Sequence, residues 1–137
     1  MKVIVDTPIW SYALRSKQKK FEKYVDEFES LILDQRVLLL GPIRQEVLSG
    51  YSDKKKFDKL EEELKCFENT KIVDEDYVIA AKFSNECRKK GVQGSHIDFL
   101  ICSVASRLDA EIFTTDKDFE HYIKNLPIKL FKIEKNI

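Results

Sequence analysis

The stretch Val3-Ile4-Val5-Asp6-Thr7-Pro8, residues 3–8, decides the fold of this chain. Its first three residues form a β-branched apolar run, which is typical of a strand buried on both faces of a parallel sheet. Pro8 suits the first position of a helix, and either Asp6 or Thr7 could cap that helix. The stretch therefore predicts a buried strand that ends at an aspartate and leads directly into a helix.

Apolar runs and amphipathic segments alternate along the rest of the chain. Helical spacing of apolar residues begins at Phe21, and the apolar run at residues 37–40 predicts a second buried strand. Ile72-Val73 predicts a short edge strand. The other predicted elements are a helix closed by Gly50, a helix marked by Phe57 and Phe67, helices starting at Asp74 or Glu75 and at Ser95, and strands at Ile112-Phe113 and residues 128–131. This alternation predicts an α/β fold in which helices cover both faces of a parallel sheet.

Four acidic residues are predicted to lie beyond the carboxyl ends of the strands, where α/β sheets bind ligands. Asp6 and Asp116 each follow a predicted strand. Glu46 lies one turn into the helix after the second strand, and Asp98 lies in the first turn of the helix that starts at Ser95. Each acid alone could be a helix cap or solvated surface. Together they would repel one another unless a cation lay among them.

The residue types at this edge indicate the kind of cation. Carboxylate oxygens suit Mg²⁺ or Mn²⁺, whereas three cysteines without a CxxC pair and two histidines do not suit zinc. A divalent ion held by carboxylates lowers the pKa of a bound water and neutralises the charge of a phosphodiester. Thr7 and either Thr114 or Thr115 are predicted to orient the carboxylates or their waters. The sequence therefore predicts metal-dependent cleavage of phosphodiesters.

The composition narrows the possible partners and the compartment. The 137 residues fit one domain, at 1–137, and 24 basic residues balance 24 acidic ones. With a formal net charge of +0, a polyanion would have to bind through a local basic patch or a metal. The odd number of cysteines and the absence of a long apolar run predict a cytoplasmic protein without a membrane segment.

Four stretches of the chain together resemble one known family. They are VIVDT at residues 3–7 with Trp10, IRQEV at 43–47, IDFLI at 97–101 with Ala105, and FTTDKDF at 113–119. Their order and spacing resemble those of PIN-domain nucleases, and specifically of the VapC-like toxins of toxin–antitoxin pairs. The resemblance covers nearly the whole chain.

This resemblance implies a three-layer α/β/α sandwich with a five-stranded parallel sheet. It implies an endoribonuclease that depends on Mg²⁺ or Mn²⁺ and acts on RNA. The family's acidic residues, which bind metal and carry the catalysis, correspond to Asp6, Glu46, Asp98 and Asp116. The resemblance also implies a homodimer and a small antitoxin protein that wraps the toxin and blocks its site.

The chain departs from the family pattern at two places. Pro8 stands where many members have Ser or Asn, which removes one N–H near the metal. Asp118 lies two residues beyond Asp116 and could share or replace its role. Arg44, two residues before Glu46, is a candidate for a substrate contact.

Two other functions fit the same resemblance. The chain could be a PIN nuclease of housekeeping RNA maturation, or a scaffold that binds RNA or protein without catalysis. A small upstream reading frame would favour the toxin, and absence of metal binding would favour the scaffold.

Overall fold

The chain folds around five strands and seven α-helices in a computed structural model that describes residues 1–15 and 17–133. The strands are β1 (Val3–Val5), β2 (Val37–Leu40), β3 (Asn69–Thr70), β4 (Glu111–Phe113) and β5 (Lys129–Leu130). The helices are α1 (Thr7–Arg15), α2 (Glu22–Leu33), α3 (Gly41–Ser49), α4 (Lys54–Leu64), α5 (Asp74–Lys89), α6 (His96–Leu108) and α7 (Asp118–Tyr122). A short 3₁₀ helix, Lys19–Phe21, precedes α2.

Strand β1 lies at the centre of the sheet, whose order is β3-β2-β1-β4-β5. All four pairings are parallel, and Val3 is aligned with both Val37 and Glu111. Val3, Ile4 and Val5 have no exposed surface, as expected for a strand with neighbours on both edges and helices on both faces. The carboxyl ends of β1, β2 and β4 therefore lie side by side.

The strand order sorts the helices onto two faces. From β1 through β2 to β3 the chain moves toward one edge, and β4 and β5 lie on the other side of β1. Because crossovers between parallel strands are right-handed, α1 to α4 cover one face and α5 to α7 the other. The packing agrees, since α1 packs against α2 and α3, whereas α5 packs against α6. The expected three-layer α/β/α sandwich with a five-stranded parallel sheet is confirmed.

The edge strand β3 differs from the sequence prediction. Ile72-Val73 was expected to form it, but Asn69 and Thr70 pair with Leu39 and Leu40 instead. The backbone N–H of Val73 donates to the Asp76 carboxylate, 2.9 Å away, and Val73 precedes the first turn of α5. Val73 thus belongs to the start of a helix, because a buried acid three residues later binds its backbone.

Trp10 on α1 belongs to the hydrophobic core. Its ring packs edge-on against Phe28 and Phe67, with centroids 4.7 and 5.2 Å away, and its Nε1–H donates to the carbonyl oxygen of Val5 at 3.0 Å. These contacts hold α1 against the carboxyl end of β1.

No helix in the described part of the chain has the length and apolar character needed to cross a bilayer.

Candidate active site

Asp6 follows β1 directly and is nearly buried, with 7% of its surface exposed. Its Oδ1 accepts from the backbone N–H of Thr7 at 2.9 Å, and its Oδ2 accepts from the hydroxyl of Thr114 at 2.8 Å. Burial raises the pKa of Asp6 to about 6, although both hydrogen bonds oppose the rise. The nearby charges of Asp98 and Glu46 contribute to this rise. The folded chain thus holds a carboxylate where its charge is poorly solvated.

Asp98 lies in the first turn of α6, the helix that covers the other face of the sheet from α1. The Ser95 hydroxyl caps this helix by accepting from the Asp98 N–H, as expected. The Asp98 carboxylate, however, accepts from the hydroxyl of Tyr122 on α7, with 2.7 Å between the oxygens. Burial raises the pKa of Asp98, and the charges of Asp116 and Asp118 add to that effect. Asp98 is therefore more than a helix-capping residue.

Asp98, Asp116 and Asp118 form the tightest acidic cluster in the described part of the chain. Each offers one oxygen, and these three oxygens lie within 4.8 Å of one another. The turn after β4 creates this proximity, because the N–H of Asp118 donates to Asp116 Oδ1 at 2.9 Å. Both candidates for the fourth acid, Asp116 and Asp118, thus lie within the same cluster as Asp98.

Glu46 lies on the exposed side of α3. Its charge acts on the pKa of Asp6, which places it at the rim of the same edge. Glu46 and Asp6 are thus brought together more loosely than the three acids of the cluster.

The three threonines play different parts. The Thr114 hydroxyl donates to Asp6 and accepts from the Asp116 N–H at 3.0 Å, so it bridges two of the acids. The Thr115 hydroxyl pairs instead with Tyr12, with 2.7 Å between the oxygens. The Thr7 hydroxyl oxygen is buried and has no partner among the described residues. A buried hydroxyl without a partner is costly, so it suits a water or ligand next to Asp6.

No lysine or arginine in the described part of the chain forms an ion pair with any of these five acids. Partly buried carboxylates of like charge are unfavourable unless a cation joins them. Clustered carboxylate oxygens fit an oxygen-preferring divalent ion such as Mg²⁺ or Mn²⁺. Asp98, Asp116, Asp118 and Asp6 would hold it.

Arg44 was our candidate for a substrate contact, and the structure shows it engaged elsewhere. Its guanidinium donates to the Asn69 side chain at 2.7 Å and to the carbonyl oxygens of Leu64 and Phe67. These bonds fasten α3 to the segment between α4 and β3. Arg44 therefore stabilises the packing of α3, and a substrate contact by Arg44 stays a prediction.

Tyr122 is a site residue that sequence reasoning missed. Its side chain is fully buried between Phe99 and Phe119, with ring centroids 5.1 Å away in both cases, yet its hydroxyl reaches Asp98. Gly94 makes room for it, since a Cβ there would lie 2.2 Å from the Tyr122 oxygen. Only the packing of α7 on α6 brings the two residues together, so no local motif could have revealed the pair.

A known family model matches most of the chain. The PIN domain model matches residues 3–125. No curated protein matches the chain in sequence.

Solved structures share the fold at low identity. FitAcB from Neisseria gonorrhoeae is 22% identical, with a TM-score of 0.77 over 95% of this chain and 96% of that one. VapBC2 from Rickettsia felis, bound to a DNA fragment from its promoter, is 19% identical, with a TM-score of 0.69 over 96% and 98%. VapBC-1 from nontypeable Haemophilus influenzae is 15% identical, with a TM-score of 0.74 over 98% and 100%. Because the family model spans nearly the whole chain, this chain belongs to the PIN domain family.

Proposed function

We propose that this chain is a metal-dependent endoribonuclease and the toxin of a toxin–antitoxin pair. One observation carries the nuclease proposal: carboxylates converge at the carboxyl edge of the sheet with no basic partner among the described residues. PIN domains are generally nucleases, and the motifs around the acids are similar to those of VapC-like toxins. The choice of RNA as the substrate and of Mg²⁺ or Mn²⁺ as the ion rests on that resemblance.

The roles of the residues follow from their contacts. Asp98, Asp116 and Asp118, with Asp6 beside them, would bind the ion, and Glu46 would act from the rim. The ion, when bound, would supply an activated water and neutralise charge on the phosphodiester. Thr114 fixes Asp6 relative to the turn after β4, and Tyr122 fixes Asp98. Carboxylates held in this way need little rearrangement to bind metal.

The deciding experiment is cleavage of a mixed RNA substrate by the purified chain with Mn²⁺, with Mg²⁺ and with EDTA. Cleavage should require the ion and should be abolished in Asp6→Asn and in Asp98→Asn, because each substitution removes a ligand charge. Asp58→Asn is the matched control, since Asp58 lies on the surface of α4 and pairs with Lys54. It should cleave like the unmodified chain.

Calorimetry with Mn²⁺ separates the remaining functions. An ion that binds without any cleavage would mean that the right RNA was missing. Neither binding nor cleavage would contradict the nuclease proposal and leave a scaffold that binds RNA or protein.

The antitoxin proposal has its own test. The solved structures with this fold are named as VapBC and FitAB pairs, some of them bound to DNA. Because the chain carries VapC-like motifs, we propose that it also has a small protein partner. We propose that both act in the cytoplasm. Expression alone should arrest growth, and co-expression of a small upstream reading frame should relieve the arrest. Growth without arrest, together with active nuclease, would favour the housekeeping role in RNA maturation.

A homodimer is part of the same proposal. The apolar side chains of Tyr77 and Ile97, on α5 and α6, are 56% and 39% exposed and line one cavity. This apolar surface lies next to Asp98 on α6 and would be covered by a second copy. Light scattering should show a dimer for the unmodified chain and a monomer for Tyr77→Glu.

A further inference from the structure

A cleft of about 490 Å³ adjoins the acidic cluster on the side of α2 and β5. It shares Thr114, Thr115 and Asp116 with the site already described. A volume of this size lies within the range of pockets that hold small organic ligands. Any ligand in the cleft would therefore lie directly beside the proposed metal ligands.

Aromatic side chains form the floor of this cleft. Phe113 is buried at its centre, with the Phe131 ring 5.0 Å away on one side and the Tyr24 ring 6.4 Å away on the other. Tyr24 and Phe131 are only partly buried, so they present apolar surface to the cleft. Flat apolar surface of this kind accepts a nucleobase without regard to its identity.

Lysines surround the same cleft. Lys23, Lys117 and Lys132 line it, are exposed, and form no ion pair with any other residue in the described ranges. The cleft also contains two acids, Asp116 and Glu120, of which Asp116 belongs to the proposed metal site. Three cations around an aromatic floor, beside a phosphodiester-cleaving site, complement a nucleotide: the base meets the rings and the phosphate meets the ammonium groups.

We propose that this cleft binds the nucleoside next to the cleaved phosphodiester, with Lys23 and Lys132 holding its phosphate. The proposal rests on the proposed nuclease function and adds to it a binding site for single-stranded RNA. A base in duplex RNA is stacked and paired and could not enter the cleft. The cleft would therefore select unpaired segments.

The first test compares two double variants of the full chain. Lys23→Ala/Lys132→Ala should raise KM for a single-stranded RNA about tenfold with kcat unchanged, because the two ammonium groups bind a phosphate beside the reacting atoms. Its RNA affinity should also depend less on salt, with the slope reduced by about 0.7 for each phosphate that is no longer neutralised. The Mn²⁺ affinity should stay the same.

Lys55→Ala/Lys90→Ala is the matched control, since it removes the same charge from exposed lysines outside the cleft. It should leave KM and the salt slope unchanged. Equal effects of the two double variants would overturn the cleft proposal, because they would show that only overall charge matters. A chain that binds no Mn²⁺ and cleaves no RNA would overturn the nuclease function together with the cleft.

The second test locates the base directly. RNA containing 4-thiouridine, irradiated in the complex, should form crosslinks that mass spectrometry assigns to peptides containing Tyr24 or Phe131. Phe131→Leu, which keeps apolar bulk but removes the ring, should reduce the crosslink at position 131 and raise KM about threefold or more. Crosslinks confined to α4 or α5, in a chain that cleaves RNA, would contradict the cleft and leave the nuclease intact.

Discussion

Within the described ranges, the fold pairs one buried carboxylate, Asp76, with a cation and leaves another, Asp6, without one. Asp76, 2% exposed on α5, accepts from Nε and Nη2 of Arg107 at 2.8 and 2.9 Å and from the Val73 N–H. The bond from Arg107 holds the pKa of Asp76 below its usual value. Asp6, 7% exposed, receives only neutral donors, and burial raises its pKa to about 6.

The difference separates an acid that is paired with a cation inside the fold from one that has no cationic partner in the described part of the chain. A carboxylate that is buried and fully paired with a guanidinium stabilises the contact between two helices. A carboxylate that is buried beside other acids and without a cation lowers the stability of the empty fold, and a bound ion would restore that stability. Burial alone does not separate the two cases, because Asp76 is the more buried.

The largest effect is expected at Asp6. Asp6→Asn should lower metal-dependent cleavage on the order of 1,000-fold, or about 4 kcal/mol of barrier, because it removes a charge proposed to bind the ion. Without metal, its free energy of unfolding should be equal to or greater than that of the unmodified chain. Urea unfolding in EDTA and single-turnover cleavage measure the two quantities. Lower stability in EDTA would mean that Asp6 is a structural acid like Asp76.

Removing Arg107, the partner of Asp76, should lower stability and leave cleavage unchanged, which is the reverse of the outcome at Asp6. Arg107→Ala should lower the free energy of unfolding by about 2 to 4 kcal/mol, because it leaves Asp76 buried without its cation; the exposure of Arg107 limits the loss. Cleavage per folded molecule should not change. Arg88→Ala, an exposed arginine on α5, is the control for urea unfolding and should change stability little. Unchanged stability in Arg107→Ala would remove the contrast between the two acids.

The two carboxylates should also give opposite pH dependence in EDTA. The folded pKa of Asp6 lies above its unfolded value near 4, so its protonation favours the fold, and this stabilisation is lost as the pH rises through about 6. Lowering the pH from 7 to 4 should therefore add about 2 to 3 kcal/mol to the free energy of unfolding. Asp76, whose pKa is lowered, stabilises the fold above pH 4 and ceases to do so in stronger acid.

Urea titrations of the unmodified chain and of Asp6→Asn at pH 7, 6, 5 and 4 measure this effect. The difference in stability between the two should shrink as the pH falls. A constant difference across that range would show that Asp6 does not titrate there.

The smallest effect is expected at Tyr122, which we interpret as a positioning residue for Asp98. Tyr122→Phe keeps the buried ring and removes only the hydroxyl, so Asp98 can turn away from the cluster. The affinity for Mn²⁺ should fall about tenfold, as it does when other hydrogen bonds to metal ligands are removed. Tyr12→Phe is the matched control, since its hydroxyl bonds to Thr115 and not to an acid. Calorimetry that gives both variants the same affinity would leave Tyr122 only a packing role.

Local patterns predicted the parts of the fold that depend on local chemistry. The run before Asp6, the cap at Ser95 and the strand before Thr114 stand where we expected them. The position of β3 was wrong, because two-residue pairing at a sheet edge leaves almost no pattern. Likewise, the contact between Tyr122 and Asp98, and the engagement of Arg44 by carbonyl oxygens, depend on how helices pack. No spacing along the chain encodes those contacts.

Because the central strand β1 comes first in the chain, Asp6 is made long before the acids that lie beside it in the fold. Asp6 is made early, but the Thr114 hydroxyl that binds it is 108 residues away, and the cluster with Asp116 and Asp118 lies beyond that. At synthesis rates of about 5 to 20 residues per second, roughly 5 to 20 seconds separate the two halves of the site. The nascent chain therefore cannot assemble the acidic cluster until residue 118 has been made. Any ligand that needs Asp6 and the cluster together can bind only after both halves of the chain have been made.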